Sequence, residues 1–490
     1  MPFTGRILAH IPRNSADDVH AAARRARASQ RAWRESTLRE RARIMLRFHD
    51  LILDRQNEVL DLIQLESGKA RRHALDEVLD TALVARYYAK TARSYLKTRP
   101  RKSAFPIVSK TWENRHPKGL CGFITPWNYP LNLAVTDAIP ATLAGNAALI
   151  KPDEKTPFTA LWAFRLLKEA GLPPDLVQVV VGDGEEIGSA LTDESDFVMF
   201  TGSTETGRKV ASRAAQCLTG FSLELGGKNA MVVCEDADLD RAILGAEAAA
   251  FSSGGQLCVS AERIYVHASV YDGFASRLTG RISRMDLNPK LDYTADMGSL
   301  ASEEQLERLT GYVEEAVSKG ARVLAGGRAR PEIGPYFYEP TLLDGVTKGM
   351  RLFLEETFGP VAALYRFRDE DEAVRLVNES DLGLNHSVWT TDERQGRKIA
   401  SRLEAGTVGV NDAFASAWAA TDAPMGGFKE SGIGRRHGAE GILKYTESQT
   451  ISAQRISVPG TLPGGDAGRY AKTITAALRL AKHLPRGRLR

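Results

Sequence analysis

The chain has 490 residues, 43% of them hydrophobic and 26% charged, with a formal net charge of +4. That length exceeds one small core, and the composition is that of a soluble globular chain of roughly two to four domains. The mild charge is spread along the sequence rather than gathered as in a nucleic-acid binder, no run of about 18 apolar residues offers a membrane span, and four cysteines, Cys121, Cys217, Cys234 and Cys258, show neither C-x-x-C pairs nor metal-ligand spacing.

So few thiols in so long a chain suit a reducing compartment. Residues 1–13 hold no apolar core of signal-peptide length, and Asp17 and Asp18 interrupt the Arg-rich stretch that a transit segment would need. The expected location is cytoplasmic.

Residues 16–36 read as a helix with Ala, Val and Trp on one face, capped by Ser15 and with Asp17 and Asp18 at its positive end. Helical patterns continue over 37–66 and 74–97 and stop at Pro100 and Pro106. "IVSKTWENRHPKG" alternates like a strand. Strands "GLCGFITP", "AALIKP", "LVQVVVG", "FVMFTG" and "NAMVVCED" then alternate with helices such as 157–171 and 184–192, which predicts an α/β parallel sheet. Beyond Gly227 the alternation restarts: strands "RIYVHASV", "RVLAGG", "AALYRF", "HSVWTT" and "GTVGVN", and helices 301–319, 369–379 and 392–404. That predicts a second α/β unit. No period of about 20–50 residues repeats.

Residues 457–490 differ. "VPGTLPGGDAG" is linker-like, and from Arg469 to Arg490 there are seven cations and no acid, with Ile474, Leu478 and Leu480 as an apolar stripe. This reads as a solvated or subunit-packing basic tail, with an interfacial helix on anionic membrane as the sharper alternative.

Cys258 follows a Gly-Gly-Gln turn in "GGQLCVS", where an exposed setting near backbone N–H groups can lower a thiol pKa. Glu224 precedes two glycines in "LELGGKN". Asn128 sits between prolines in "PWNYP", where its amide can donate to a developing oxyanion. "FTGSTETG" runs a strand into a Gly-rich turn, with Gly202 and Ser203 before a helix start suited to a pyrophosphate. "ALIKPDEKTP" ends a strand at Lys151 and Glu154, and "EETFGP" places Glu355, Glu356 and Phe358 in a loop.

Taken together, PWN, KPDE, FTGSTETG, ELGGKN, GQLC, EETFGP and PMGGFKESG, in this order over nearly the whole chain, resemble the aldehyde dehydrogenase superfamily. The resemblance implies a Rossmann-like cofactor domain (1–101 and 119–227), an α/β catalytic domain (228–443), and a small β oligomerisation flap (102–118 and 444–456), in a homodimer or homotetramer. It implies Cys258 as nucleophile, Asn128 and the Cys258 backbone N–H as oxyanion donors, and Glu224 as the base that activates water, with no metal. For the cofactor it implies Lys151 and Glu154 at the adenine ribose, Trp127, Gly202 and Ser203 around the site, and Glu356 with Phe358 at the nicotinamide ribose. Glu154 would repel a 2′-phosphate, which favours NAD; Lys151 beside it can pair with a phosphate if Glu154 turns away, which leaves NADP open.

"CVSAERIYV", "GPYFYEPT", "FGPVAALY" and "GRRHGAEGILKYTESQTI" resemble the actinobacterial-type succinic-semialdehyde branch, so succinate semialdehyde is the leading substrate. Other succinic-semialdehyde enzymes of the family carry two Arg where Thr136 and Ser252 stand here. Either this chain binds a carboxylate through Arg435 or another basic residue, or its substrate has none. Ser260 stands where those enzymes have a second Cys, so no local disulfide switch is expected. Phe414 and Trp418 are expected to border the substrate tunnel, with Met425 as a soft wall. The competing readings are a broad aliphatic or aromatic aldehyde dehydrogenase and, in another class, a catalytically silent scaffold or membrane-attached binding protein.

Overall fold

The computed structural model describes residues 1–103, 108–456 and 465–482. Pro106, most of the linker at 457–464, and Arg486, Arg488 and Arg490 of the basic tail lie outside the described residues.

The first helix, Ala16–Trp33, begins where the sequence places it. Ser15 Oγ accepts from the Asp18 backbone N–H, and the Asp18 carboxylate accepts in return from the Ser15 N–H, a reciprocal cap worth about 1 kcal/mol. The second helical run is two helices, Leu38–Asp54 and Gln56–Ser67, and a third helix spans Arg71–Leu96.

Residues 1–95 and 117–446 form one compact unit, built on two α/β sheets. The six-stranded sheet runs Gly432–Ile433, Gly220–Glu224, Phe197–Thr201, Leu120–Ile124, Ala147–Lys151, Val177–Val179. The seven-stranded sheet runs Arg322–Ala325, Thr341–Asp344, Val361–Phe367, Ala261–His267, Asn229–Val233, Asn385–Trp389, Thr407–Val410. Pairing is parallel except at one edge of each sheet, where Gly432–Ile433 and Arg322–Ala325 run antiparallel. Strands such as Ala147–Lys151 and Asn229–Val233 are buried at every residue, as expected of parallel sheets covered on both faces. Three strands of these two sheets went unnamed in the sequence reading: Gly220–Glu224, whose buried Ser222 and Glu224 break its apolar pattern, the four-residue Thr341–Asp344 and the two-residue Gly432–Ile433.

Residues 96–116 and 447–490 form a second unit. Its described part holds a three-stranded sheet in the order Arg99–Arg101, Ser109–Pro117, Thr446–Gln454, and a helix, Ala467–Ala481, capped by Asp466. Leu478 and Leu480 of the expected stripe are exposed, and Ile474 is half-buried. No described helix is long and apolar enough to cross a membrane.

Candidate active site

Cys258 stands at the end of an unusual turn. The helix Leu239–Phe251 passes into Ser252–Gly255, where Ser253, Gly254 and Gly255 all take positive φ, near 53°, 63° and 67°. A Cβ on Gly255 would collide with the Gly359 carbonyl, so glycine there permits both the left-handed backbone and the close approach. The Cys258 carbonyl is held by Asn229 Nδ2 at 2.7 Å, and the same amide reaches the Ser260 carbonyl at 2.9 Å.

Two cavities meet at Cys258. One is lined by Trp127, Asn128, Gly202, Ser203, Glu224 and Glu356, with Phe358 beside them. The other is lined by Asn128, Tyr129, Phe414, Trp418, Met425 and Arg436. The expected residues Cys258, Asn128 and Glu224 thus converge on one site, and Phe414 and Trp418 border the second cavity.

Asn128 is 4% exposed, and its Nδ2 donates to the Gln256 carbonyl at 3.0 Å. An amide nitrogen carries two N–H groups, so one remains for an oxyanion. The Asn128 carbonyl accepts from Lys69 Nζ at 2.6 Å, and Lys69 is paired with Glu77 at 2.6 Å. Glu77 also accepts from the backbone N–H groups of Leu131 and Asn132. This buried ion pair therefore clamps the Pro126–Pro130 turn, and losing either partner would strand a charge at a cost of roughly 3–5 kcal/mol.

Glu224 ends the strand Gly220–Glu224 and is 2% exposed, with neither carboxylate oxygen hydrogen-bonded. Burial pushes its pKa up to about 7 against the pull of Arg436. A carboxyl poised near neutrality and bare of partners suits a general base. Cys258 departs from expectation: burial, with the nearby Glu224 and Glu356 carboxyls, pushes its thiol up rather than down, and Arg436 and its own backbone N–H offset this only in part.

On the cofactor side, Glu356 Oε1 accepts from the Gly227 N–H at 2.8 Å. Burial, then the Glu262 charge, raises its pKa to about 7. Its loop is fixed by Glu262, which accepts from the Thr357 and Phe358 N–H groups and pairs with buried Lys228 at 2.5 Å. Trp127 and Phe358 meet edge to face at 5.5 Å between ring centroids. A Cβ on Gly226 would lie 2.6 Å from Glu356 Oε2 and one on Gly202 2.6 Å from the Phe200 ring, so a larger residue at either position would displace the Glu356 carboxylate or the Phe200 ring. Ser203 caps the helix Thr204–Gln216, accepting from the Thr206 N–H, and presents that helix start to the cavity. Lys151 is buried at the end of Ala147–Lys151; Glu154 is exposed and faces Arg13 at 3.5 Å. This cleft, with the start of the helix Thr204–Gln216 on one wall and the Glu356 carboxylate on another, fits a nicotinamide dinucleotide.

Arg435 is not the tunnel cation. Its guanidinium lies over the Phe428 ring and donates to the Gly427 and Gly434 carbonyls. The residue that enters the tunnel is its neighbour Arg436, whose Nη2 donates to Thr136 Oγ1 at 2.7 Å. Ser252 is buried, and Ser260 Oγ donates to the Ala249 carbonyl at 3.0 Å. Sequence reasoning also passed over Lys69, Glu77 and Asp80. Lys228, Asn229, Gln256 and Glu262 lay inside the quoted stretches ELGGKN, GQLC and CVSAERIYV without being given a role.

Comparison with known proteins gives a consistent picture. A family model described as the aldehyde dehydrogenase family matches residues 1–451. A protein of Mycolicibacterium smegmatis named "Putative succinate-semialdehyde dehydrogenase", with NADP(+) as its stated cofactor, is 48% identical over 483 residues, 99% of this chain and 93% of that protein. The crystal structure of succinate-semialdehyde dehydrogenase from Burkholderia pseudomallei is similar with a TM-score of 0.89 at 33% identity, over 93% of each chain. The NAD+ complex of an aldehyde dehydrogenase from Bacillus cereus is similar with a TM-score of 0.88 at 34% identity, over 92% of each chain.

Proposed function

We propose that this chain, which belongs to the aldehyde dehydrogenase family, oxidises succinate semialdehyde to succinate through a thioester on Cys258. The observation that carries the chemistry is the meeting of Cys258, Asn128 and unpartnered Glu224 where the two cavities join. The substrate is supported by the names of relatives such as the Mycolicibacterium smegmatis protein.

In this reading the Cys258 thiol gives up its proton to water in the tunnel, and its sulfur attacks the aldehyde carbon from the tunnel side. The free Asn128 amide N–H and the Cys258 backbone N–H receive the oxyanion, an effect worth about 3 kcal/mol per preorganised donor. Trp127, Gly202, Glu356 and Phe358 would hold the nicotinamide half of the dinucleotide, and Ser203 at the helix start would sit by its pyrophosphate. When bound, that group supplies a hydride acceptor beside the adduct. Glu224 then takes a proton from water, the resulting hydroxide adds to the thioester carbon, and the C–S bond breaks to release the acid. Purified protein assayed with succinate semialdehyde, hexanal and benzaldehyde should favour the first by about 100-fold in kcat/KM, roughly 2.7 kcal/mol of transition-state discrimination. Equal or better rates with the apolar aldehydes would assign a broad aliphatic or aromatic enzyme instead.

The same reading assigns NADP+ as a cofactor alongside NAD+. Glu154 argues for NAD+, since a carboxylate accepts from ribose hydroxyls and repels a 2′-phosphate. Yet Arg13 faces Glu154 and offsets its charge, and Lys151 at the strand end adds a second cation. Glu154→Gln should therefore raise kcat/KM for NADP+ relative to NAD+ by about tenfold. An unchanged ratio in paired initial-rate assays would remove Glu154 from cofactor choice.

A further inference from the structure

A carboxylate entering this tunnel leaves water and must meet a cation there. Among the described residues lining the tunnel, Arg436 is the one cation. His437 beside it is held neutral, its ring pushed down to about 3 by burial and by Arg436. The Arg436 side chain is 9% exposed.

Its carboxylate neighbours are Asp137, Glu224 and Asp80, and the first of these is shared with a second cation. Arg436 Nη2 lies 2.8 Å from Asp137 Oδ2, but Lys444 Nζ lies 3.0 Å from Asp137 Oδ1, so two cations share one carboxylate. Tyr445 also donates its hydroxyl to Asp137 at 2.9 Å. Both contacts of Arg436, to Thr136 and to Asp137, run through Nη2. Nε and Nη1 carry no hydrogen bond among the described residues. Each remains as a charge-assisted donor that a carboxylate oxygen can accept from.

Besides Glu224, two acids of the tunnel lining oppose it. Asp76 and Asp80 line the same tunnel, and Asp80 Oδ1 is buried without a partner while Oδ2 accepts from Asn132. Burial pushes Asp80 up to about 7 against the pull of Arg436, so this carboxyl spends part of its time neutral when the solution is near neutral.

We infer that Arg436, seated on Thr136 and Asp137, is the specificity-determining residue that receives the far carboxylate of the aldehyde substrate, and that Asp80 is its electrostatic counterweight. The inference rests on the reading of succinate semialdehyde as substrate and names the group that selects it.

The test is kcat/KM for succinate semialdehyde, hexanal and an ω-aminoaldehyde, with NADP+, in the wild type, Arg436→Gln, Arg436→Lys and Asp80→Asn. The succinate semialdehyde to hexanal ratio within each protein cancels any general loss of turnover. It should fall about 50-fold in R436Q, mainly through KM, fall about fivefold in R436K, and rise about threefold in D80N. A purely structural role would not move R436Q and D80N in opposite directions. If R436Q does not fold, D80N and R436K carry the test, and a ratio that D80N lowers or leaves unchanged overturns the inference. A wild type that prefers succinate semialdehyde and keeps that preference in R436Q overturns the inference while the substrate reading stands. A wild type that prefers hexanal or the ω-aminoaldehyde overturns both.

Discussion

Cys258→Ala will lose aldehyde oxidation by at least about 10⁴-fold while binding NADP+ within a few-fold of the wild type. The asymmetry follows from where the sulfur sits. It belongs to both cavities, yet the dinucleotide contacts assigned above run through Trp127, Ser203, Glu356 and Phe358 on one side only. Alanine keeps the backbone of the turn, whose shape is set by Ser253, Gly254 and Gly255 and by the Asn229 amide on the Cys258 carbonyl. It removes the only atom able to form the covalent bond. Steady-state NADPH formation and a fluorescence titration with NADP+ check the two halves separately. Turnover near the wild-type rate in C258A would sink the covalent mechanism, and loss of cofactor binding would show that the sulfur supports the cofactor cleft as well.

The elements were legible wherever periodicity and caps agreed. Ser15 with Asp18 marks a helix start because both residues act locally. The fully buried strands read as short apolar runs because parallel sheets hide both faces. The strand ending in Glu224 escaped notice for the reason it matters: a polar residue placed in the core for its chemistry breaks the pattern that reveals strands.

The site was legible where one short motif carries one group, as with Cys258, Glu224 and Asn128. It was not legible where function depends on pairs distant in sequence. Lys69 holds the Asn128 carbonyl 59 residues away, Lys228 meets Glu262 34 residues away, and Arg436 meets Thr136 300 residues away. A lone charge in a sequence looks the same whether it faces solvent or a buried partner, and only the fold distinguishes them. The choice of Arg435 over Arg436 is one case: adjacent residues of one charge diverge, one to the Phe428 ring and surface carbonyls, the other into the tunnel.

Glu224→Gln separates the two halves of the reaction. It should give a burst of NADPH close to one per active site and then a steady rate lower by about 10²–10⁴-fold, the usual worth of a general base. The burst survives because the Glu224 charge is itself among the causes that push the Cys258 thiol up; neutralising it makes the thiolate easier to form. The second half fails because an amide cannot take a proton from water. The pH dependence has a definite sign. Burial raises Glu224 to about 7, so the active, deprotonated base is scarce below that value and abundant above it. When deacylation limits the rate, kcat in the wild type should rise tenfold per unit well below pH 7 and level off above it, and this limb should vanish in E224Q. Rapid-mixing absorbance for the burst and a kcat–pH profile for the limb check both. A variant that loses the burst would show that Glu224 takes the thiol proton in the first half, and one that keeps the rising limb would assign that titration to another group, with Glu356, also held near 7, as the next in line.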